Sequence, residues 1–252
     1  MLFSPAMIVL LLLVPSFYYS QTLDLPPSFP KCNRNDPNLN DCIKSAYGVV
    51  LPILAQGLPE FKLESIDPIK IEKMSIGEGT GAVHVVQHYN QIEYHNLFKT
   101  TVESVDAKVT DNDLKIILNV FAEDVHMSAN YDLNGYILIL PIVGEGESTI
   151  ALKNAKIKLV ITGETYDNQG TKYMEVKNFT VKLDPELITL DFQNLFNGDP
   201  ILGPEMNHVL NENWRDLFID VGHGYEEALG QAFKRIANII FSQVPYDGLF
   251  SV

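Results

Sequence analysis

Two hydrophobic periods divide this chain. Ile43, Ala46, Tyr47, Val50 and Leu54 recur at steps of three and four, which predicts a helix with one apolar stripe. Asn40 and Asp41 are good N-cap residues, Gly57 stands where a C-terminal cap belongs, and Pro59 follows it. Pro52 lies inside the stripe and is expected to bend the helix. From about Leu63 to Phe192 the period falls to two. Val125, Met127, Ala129, Tyr131 and Leu133 alternate with polar residues, as do Ala155, Ile157, Leu159 and Ile161, and then Ile188, Leu190 and Phe192. Turn signals separate these runs at 77–81, 110–113, 133–135, 144–147 and 167–170. Strands joined by short turns without intervening helices pair antiparallel. The longest apolar run outside the N-terminus, Tyr136–Val143, reads as a strand.

In KYMEVKNFTVKLD the alternation slips. Met174 and Val176 fall on one parity, Phe179, Val181 and Leu183 on the other. One extra residue near Lys177–Asn178 restores the phase, so a β-bulge and a strongly curved sheet are expected there. Beyond a turn-rich connector, Leu210, Trp214, Leu217, Phe218, Val221, Tyr225, Leu229, Phe233, Ile236 and Ile240 return to helical spacing. A single rod over 205–242 would run about 55 Å, too long for one compact domain. Gly222-His223-Gly224 is the expected place for a break.

Composition narrows the class. The first charged residue is Asp24, and an apolar run from Ala6 to Val14 is too short to span a bilayer. Residues 1–20 are therefore expected to be a cleaved signal peptide and 21–252 a single domain of a secreted protein, without stable membrane insertion. The formal net charge of −14 argues against nucleic acid and anionic membrane surfaces. Cys32 and Cys42, an even count in a secreted chain, suit one disulfide; a structural zinc site would need about four ligands, and no His lies nearby. Asn178-Phe179-Thr180 is a glycosylation sequon, and its position at the phase slip makes Asn178 a plausible exposed acceptor.

Candidate chemistry is sparse. HVVQHYNQIEYH at 84–95 holds three histidines, but on a strand His84 and His88 stand about 13 Å apart, too far to share a metal ion. His95 has the opposite parity. GEGTG at 77–81 lacks the spacing and the following helix of a phosphate loop, so a hairpin turn is the better reading. Glu123 and Asp124, adjacent on a strand, are expected to project to opposite faces. No nucleophile elbow is present. No cofactor, no metal and no enzymatic activity are expected.

What remains is apolar surface on a curved sheet and two helices. It either packs solid as core or leaves an elongated cavity for an apolar guest. In the second case the candidate lining is Val125, Met127, Tyr131, Leu133, Ile157, Leu159, Met174, Val176 and Phe179 on strands. Trp214, Phe218 and Phe233 would complete it from the helix. Tyr131 and Trp214 carry hydrogen-bonding tips, and Met127 and Met174 could adapt to ligand shape. Pro245 and Gly248 make the segment around Phe241–Phe250 a candidate gate.

LFNGDPILGPEMNHVLNENW (195–214) resembles a segment of the insect takeout and haemolymph juvenile-hormone-binding protein family. The resemblance extends through Cys32 and Cys42, LESIDPIKIEKMSI (63–76), LDPELITLDFQNLF (183–196) and IANIIFSQVPYDGLF (236–250). It implies an α+β fold in which a highly curved antiparallel sheet wraps a long C-terminal helix, with a shorter N-terminal helix and a hydrophobic tunnel. It also implies a monomeric carrier of a terpenoid or fatty-acid-like ligand. Moth hormone carriers have a second disulfide, for which this chain has no cysteines, so it resembles the takeout branch. The sequence leaves two rivals open, a lipid-ester hydrolase and a membrane-docking lipid-transfer protein.

Overall fold

A computed structural model of the chain describes residues 22–252, so the expected signal peptide lies outside the described residues. Two very long strands form the spine. β5 (Asp113–Ile137) pairs antiparallel along its whole length with β6 (Leu140–Asn168), from Leu140 to Glu164. Their inward residues shift phase together. Leu114 to Ala122 alternate inward, and after Glu123 and Asp124 the inward set is Val125 to Leu133; opposite them the shift falls at Lys153 and Asn154. A shared irregularity of this kind bends both strands at one level. Glu123 and Asp124 are consequently both solvent-facing, not on opposite faces as strict alternation predicts.

Each half of the spine is flanked differently. β4 (Thr101–Val109) pairs with the first half of β5, and β3 (Val83–His95) with the second, carrying β2 (Ile69–Ile76) on its outer edge. β7 (Thr171–Asp184) pairs with the later half of β6 and β8 (Leu187–Phe192) with the earlier half. In β7 the register slips between Asn178 and Val176, leaving Lys177 as the extra residue, where the sequence places the bulge. Asn178 is exposed.

Two turn readings and one strand reading change. Asn134–Gly135 and Gly144–Gly146 lie inside β5 and β6, and the hairpin reverses at Leu138–Ile139, within the supposed apolar strand. Ile139 is 88% exposed at that tip, with Tyr136, Leu138, Leu140 and Val143 exposed around it. Extending the pairing to the tip satisfies more backbone groups than a turn at Gly135 would.

α1 (Leu39–Leu54) lies over β4, where Asn40 Oδ1 accepts from the Ala107 N–H at 2.9 Å. Cys32 and Cys42 form the disulfide, Cα atoms 5.7 Å apart. β1 (Cys32–Asn33) pairs parallel with β9 (Phe250–Ser251), after the short α4 (Tyr246–Leu249), so the bridge also anchors the C-terminus.

The C-terminal helical stretch is broken, but not at the glycines. α2 (Leu202–Glu212) ends at Asn213, whose side-chain amide donates to the Val209 carbonyl at 2.7 Å. That bond competes with the helical ladder. α3 (Trp214–Phe241) then runs unbroken through Gly222 and Gly224, about 42 Å at 1.5 Å per residue. A Cβ on Gly222 would stand 2.7 Å from the Phe218 ring, and one on Gly224 2.7 Å from Ile76. These glycines serve close packing, not a kink.

Candidate ligand cavity

The curved sheet, α1 and α3 do not close on each other. The inner chamber, about 100 Å³, lies between the β3–β5–β6–β8 wall and the first half of α3. The outer chamber, about 340 Å³, lies between α1, β5–β7 and the second half of α3. Leu97, Ile157, Leu183 and Leu229 line both and form a waist between them. The stripe predicted on α1, Ile43, Ala46, Tyr47, Val50 and Leu54, packs at its margins on the core, lines the outer chamber and is only half-buried.

Nine of the sequence-predicted residues line this space. Val125, Met127, Leu133, Trp214 and Phe218 face the inner chamber, Leu159, Phe179 and Phe233 the outer, and Ile157 the waist. Tyr131, Met174 and Val176 are buried but line neither chamber. Tyr131 donates its hydroxyl to the Gln193 carbonyl at 2.6 Å and packs edge-on against Phe192. Burial, with Glu145 adding, pushes its pKa up to about 12. Its polar tip is thus committed to the fold. The Val176 backbone is held by Asn238, and Met174 packs against Gly163.

Among the cavity's polar groups, Tyr94 is one that parity alone misplaces. β3 carries an extra residue between Asn90 and Glu93, with Gln91 in the left-handed region at φ 52°. Val83, Val85, Gln87 and Tyr89 point inward before it, Ile92 and Tyr94 after it. His95 therefore joins His84 and His88 on the outer side, contrary to the parity reading. It stacks on His126 with ring centroids 4.7 Å apart. Partial burial, and then His95, lowers the His126 pKa. His88 Nδ1 lies 2.9 Å from Ser75 Oγ.

Gln87, Tyr94, Trp214 and Tyr225 are the side chains with polar groups that line the inner chamber. The hydroxyls of Tyr89 and Tyr225 lie 2.8 Å apart, and both approach Gln87 Oε1, at 3.0 and 2.7 Å. Two hydroxyl protons serve three contacts, so a chain from Tyr89 to Tyr225 to Gln87 satisfies all three oxygens. In the outer chamber Tyr47 Oη and Thr100 Oγ1 are 2.6 Å apart, and Thr100 donates to the Leu97 carbonyl. Among the described residues, no Asp, Glu, Lys, Arg or His lines either chamber.

The glycine loop at 77–81 does cradle an anion, but it is the protein's own. Asp220 on α3 accepts N–H bonds from Thr80, Gly81 and Val83 at 2.7–2.9 Å. A Cβ on Gly79 would stand 2.0 Å from the same carboxylate. At the far end Arg34 bonds Asp111, Asp247 and the Phe250 carbonyl and covers the Tyr246 ring. It holds Leu249 and Phe250 over the outer chamber.

A solved structure shares this fold, and proteins similar in sequence are known. Takeout 1 of Epiphyas postvittana superposes with a TM-score of 0.76 at 26% identity, over 88% of this chain and 100% of that one. The circadian clock-controlled protein daywake of Drosophila melanogaster is 27% identical over 231 residues, 89% of this chain and 88% of its own. A Schistocerca gregaria protein named for binding β-carotene is 22% identical across 86% of each chain. The model of the haemolymph juvenile hormone binding protein family matches residues 7–251. With that match over nearly its whole length, and with the takeout fold built around an apolar cavity, the chain belongs to the haemolymph juvenile hormone binding protein family.

Proposed function

We propose that this protein is a secreted, monomeric, non-enzymatic carrier that holds a small lipophilic molecule across the two chambers. The observation that carries this reading is the half-buried α1 stripe lining the outer chamber. A helix whose apolar stripe stays half-buried leaves apolar area for a guest to cover. Burying ~300 Å² of ligand hydrocarbon at ~25 cal/mol/Å² provides roughly 7–8 kcal/mol before association costs, which suits micromolar to sub-micromolar affinity. Membership in a family named for a terpenoid hormone, and a relative named for a carotenoid, favour an isoprenoid or similarly long chain. The Cys32–Cys42 disulfide fits an oxidising, extracellular setting.

Native mass spectrometry of the protein from its source fluid, followed by solvent extraction, tests the proposal. A co-purifying lipid is the expected result. A protein that yields no lipid and takes up no added lipophile is not a carrier.

A second reading, transient docking on lipid during loading, draws on the exposed hairpin tip around Ile139. Docking predicts flotation with neutral phosphatidylcholine vesicles that Ile139→Asp abolishes.

A further inference from the structure

We propose that the Tyr94 hydroxyl is the cavity's polar anchor, donating a hydrogen bond to a neutral oxygen acceptor, such as an ester or ketone carbonyl, on an otherwise apolar guest. This assignment rests on the carrier reading and narrows it to a ligand class.

Tyr94 is 4% exposed and lines the inner chamber, yet its hydroxyl has no hydrogen-bond partner. Among the described residues it is the one fully buried side-chain polar atom left in that state. Native proteins rarely tolerate this, because the group has lost water and gained nothing. The neighbouring polar oxygens are already engaged: Gln87 Oε1 by Tyr225, and the Tyr225 and Tyr89 hydroxyls by each other.

The fold goes out of its way to bring Tyr94 inside. Without the extra residue between Asn90 and Glu93, strict alternation from Tyr89 would turn Tyr94 outward, where water could satisfy it. With it, Tyr94 stands beside Met127 on the inner face, across the register from β5. Gln91 adopts a left-handed φ of 52° at the bulge, which a non-glycine residue does not favour.

The surroundings define what the hydroxyl can hold. Its O–H supplies one donor, so the guest must supply an acceptor. A carboxylate would shed its hydration in a chamber that offers no cationic side chain, and such desolvation is costly. A pure hydrocarbon would fill the space but leave the hydroxyl unpaired. A neutral carbonyl or ether oxygen meets both conditions.

The test compares wild type with Tyr94→Phe in displacement of the neutral fluorophore N-phenyl-1-naphthylamine. The competitors are methyl tetradecanoate, pentadecane and tetradecanoic acid. Tyr94→Phe should bind the ester about three- to tenfold more weakly and the alkane no more weakly. Wild type should prefer the ester to the ionised acid at pH 8. Equal losses for ester and alkane, or no loss for either, would mean that cavity water serves the hydroxyl, and would overturn the anchor. An acid bound as tightly as the ester overturns the neutral-acceptor class. Wild type that binds neither ester nor alkane overturns the carrier reading itself, a distinguishable result. Ligand-free Tyr94→Phe should melt no lower than wild type. A lower midpoint would show that the hydroxyl is satisfied within the empty protein, and would also overturn the proposal.

Discussion

Asn211 on α2 holds Leu190 on β8 by both of its backbone polar groups. The side-chain oxygen accepts the Leu190 N–H at 2.8 Å, and the amide nitrogen donates to the Leu190 carbonyl at 2.7 Å. Asn207 does the same to Phe192, at 2.9 Å for each bond. The spacing is geometric: four helical residues rise about 6 Å, and two strand residues about 6.6 Å. Two asparagines one turn apart thus act as a neighbouring strand for the free edge of β8. Asn238 on α3 repeats the device at Val176 on β7.

Replacing Asn211 with Leu keeps bulk but leaves the Leu190 N–H and carbonyl unpaired. The expected cost is about 2–4 kcal/mol, from two part-buried backbone groups at ~1–3 kcal/mol each, partly relieved by water. Urea unfolding measures it, and Asn207→Leu combined with Asn211→Leu should depart from the sum of the two costs, since the side chains hold neighbouring positions of one strand edge. A loss below 0.5 kcal/mol (roughly the scale of an ordinary surface substitution) would show that the edge is held by packing alone.

Asp220 sets an acid limit on the clasp between α3 and the β2–β3 loop. Burial pushes its pKa up, but N–H bonds from Val83, Thr80 and Gly81 together outweigh burial and hold it below the ordinary value of 3.8. The folded state therefore binds fewer protons than the unfolded chain between the two values. The stabilisation is fully present above about pH 4 and is lost as pH falls through the lower, folded pKa. Asp220→Ala should lower stability at pH 7 and flatten the loss seen in urea titrations between pH 4 and pH 2. An unchanged acid slope would remove Asp220 from the account.

The waist between the chambers decides how long a guest fits. Leu229→Phe adds bulk where Leu97, Ile157 and Leu183 also meet. Affinity for methyl hexadecanoate should fall about tenfold or more, from ~1–3 kcal/mol of overpacking, while methyl octanoate is little affected. Equal losses for both would mean that guests occupy one chamber and do not cross.

Arg34 is the clamp on the candidate gate. Its guanidinium reaches Asp111 at 3.0 Å and Asp247 at 2.8 Å with its own side chain almost fully covered. Arg34→Met should speed both uptake and release of ligand in stopped-flow fluorescence, with a much smaller change in the equilibrium constant. If both rates stay as in wild type, ligand enters elsewhere. Deleting residues 245–252 also removes Tyr246, which is fully buried, so the point substitution is the cleaner probe.

Much of this architecture was legible because the deciding signals were local. The α1 stripe, the strand alternation and the phase slip at Lys177–Asn178 each appear in the apolar positions of a single segment. The slip in β3 was not, because Gln87, Tyr89, Tyr94 and His95 are amphipathic and mark neither face; only pairing with β5 shows the extra residue. Tyr225 falls on the helical stripe, but nothing in the sequence marks Tyr94 as a cavity group. Tyr131, the tyrosine that did fall on the apolar parity, spends its hydroxyl on Gln193.

The amino-acid order by itself determined which stretches coil and which extend, where the disulfide could close, and the bend at Lys177, since backbone preference and hydrophobic period act over a few residues. Tertiary structure decided the rest. It placed the helix break at Asn213 and used Gly222 and Gly224 for close contact, because Phe218 and Ile76 occupy the space where a Cβ would go. It also left the chambers open, since whether two greasy surfaces touch depends on the curvature between them, and that curvature is a sum over strands that no single segment encodes.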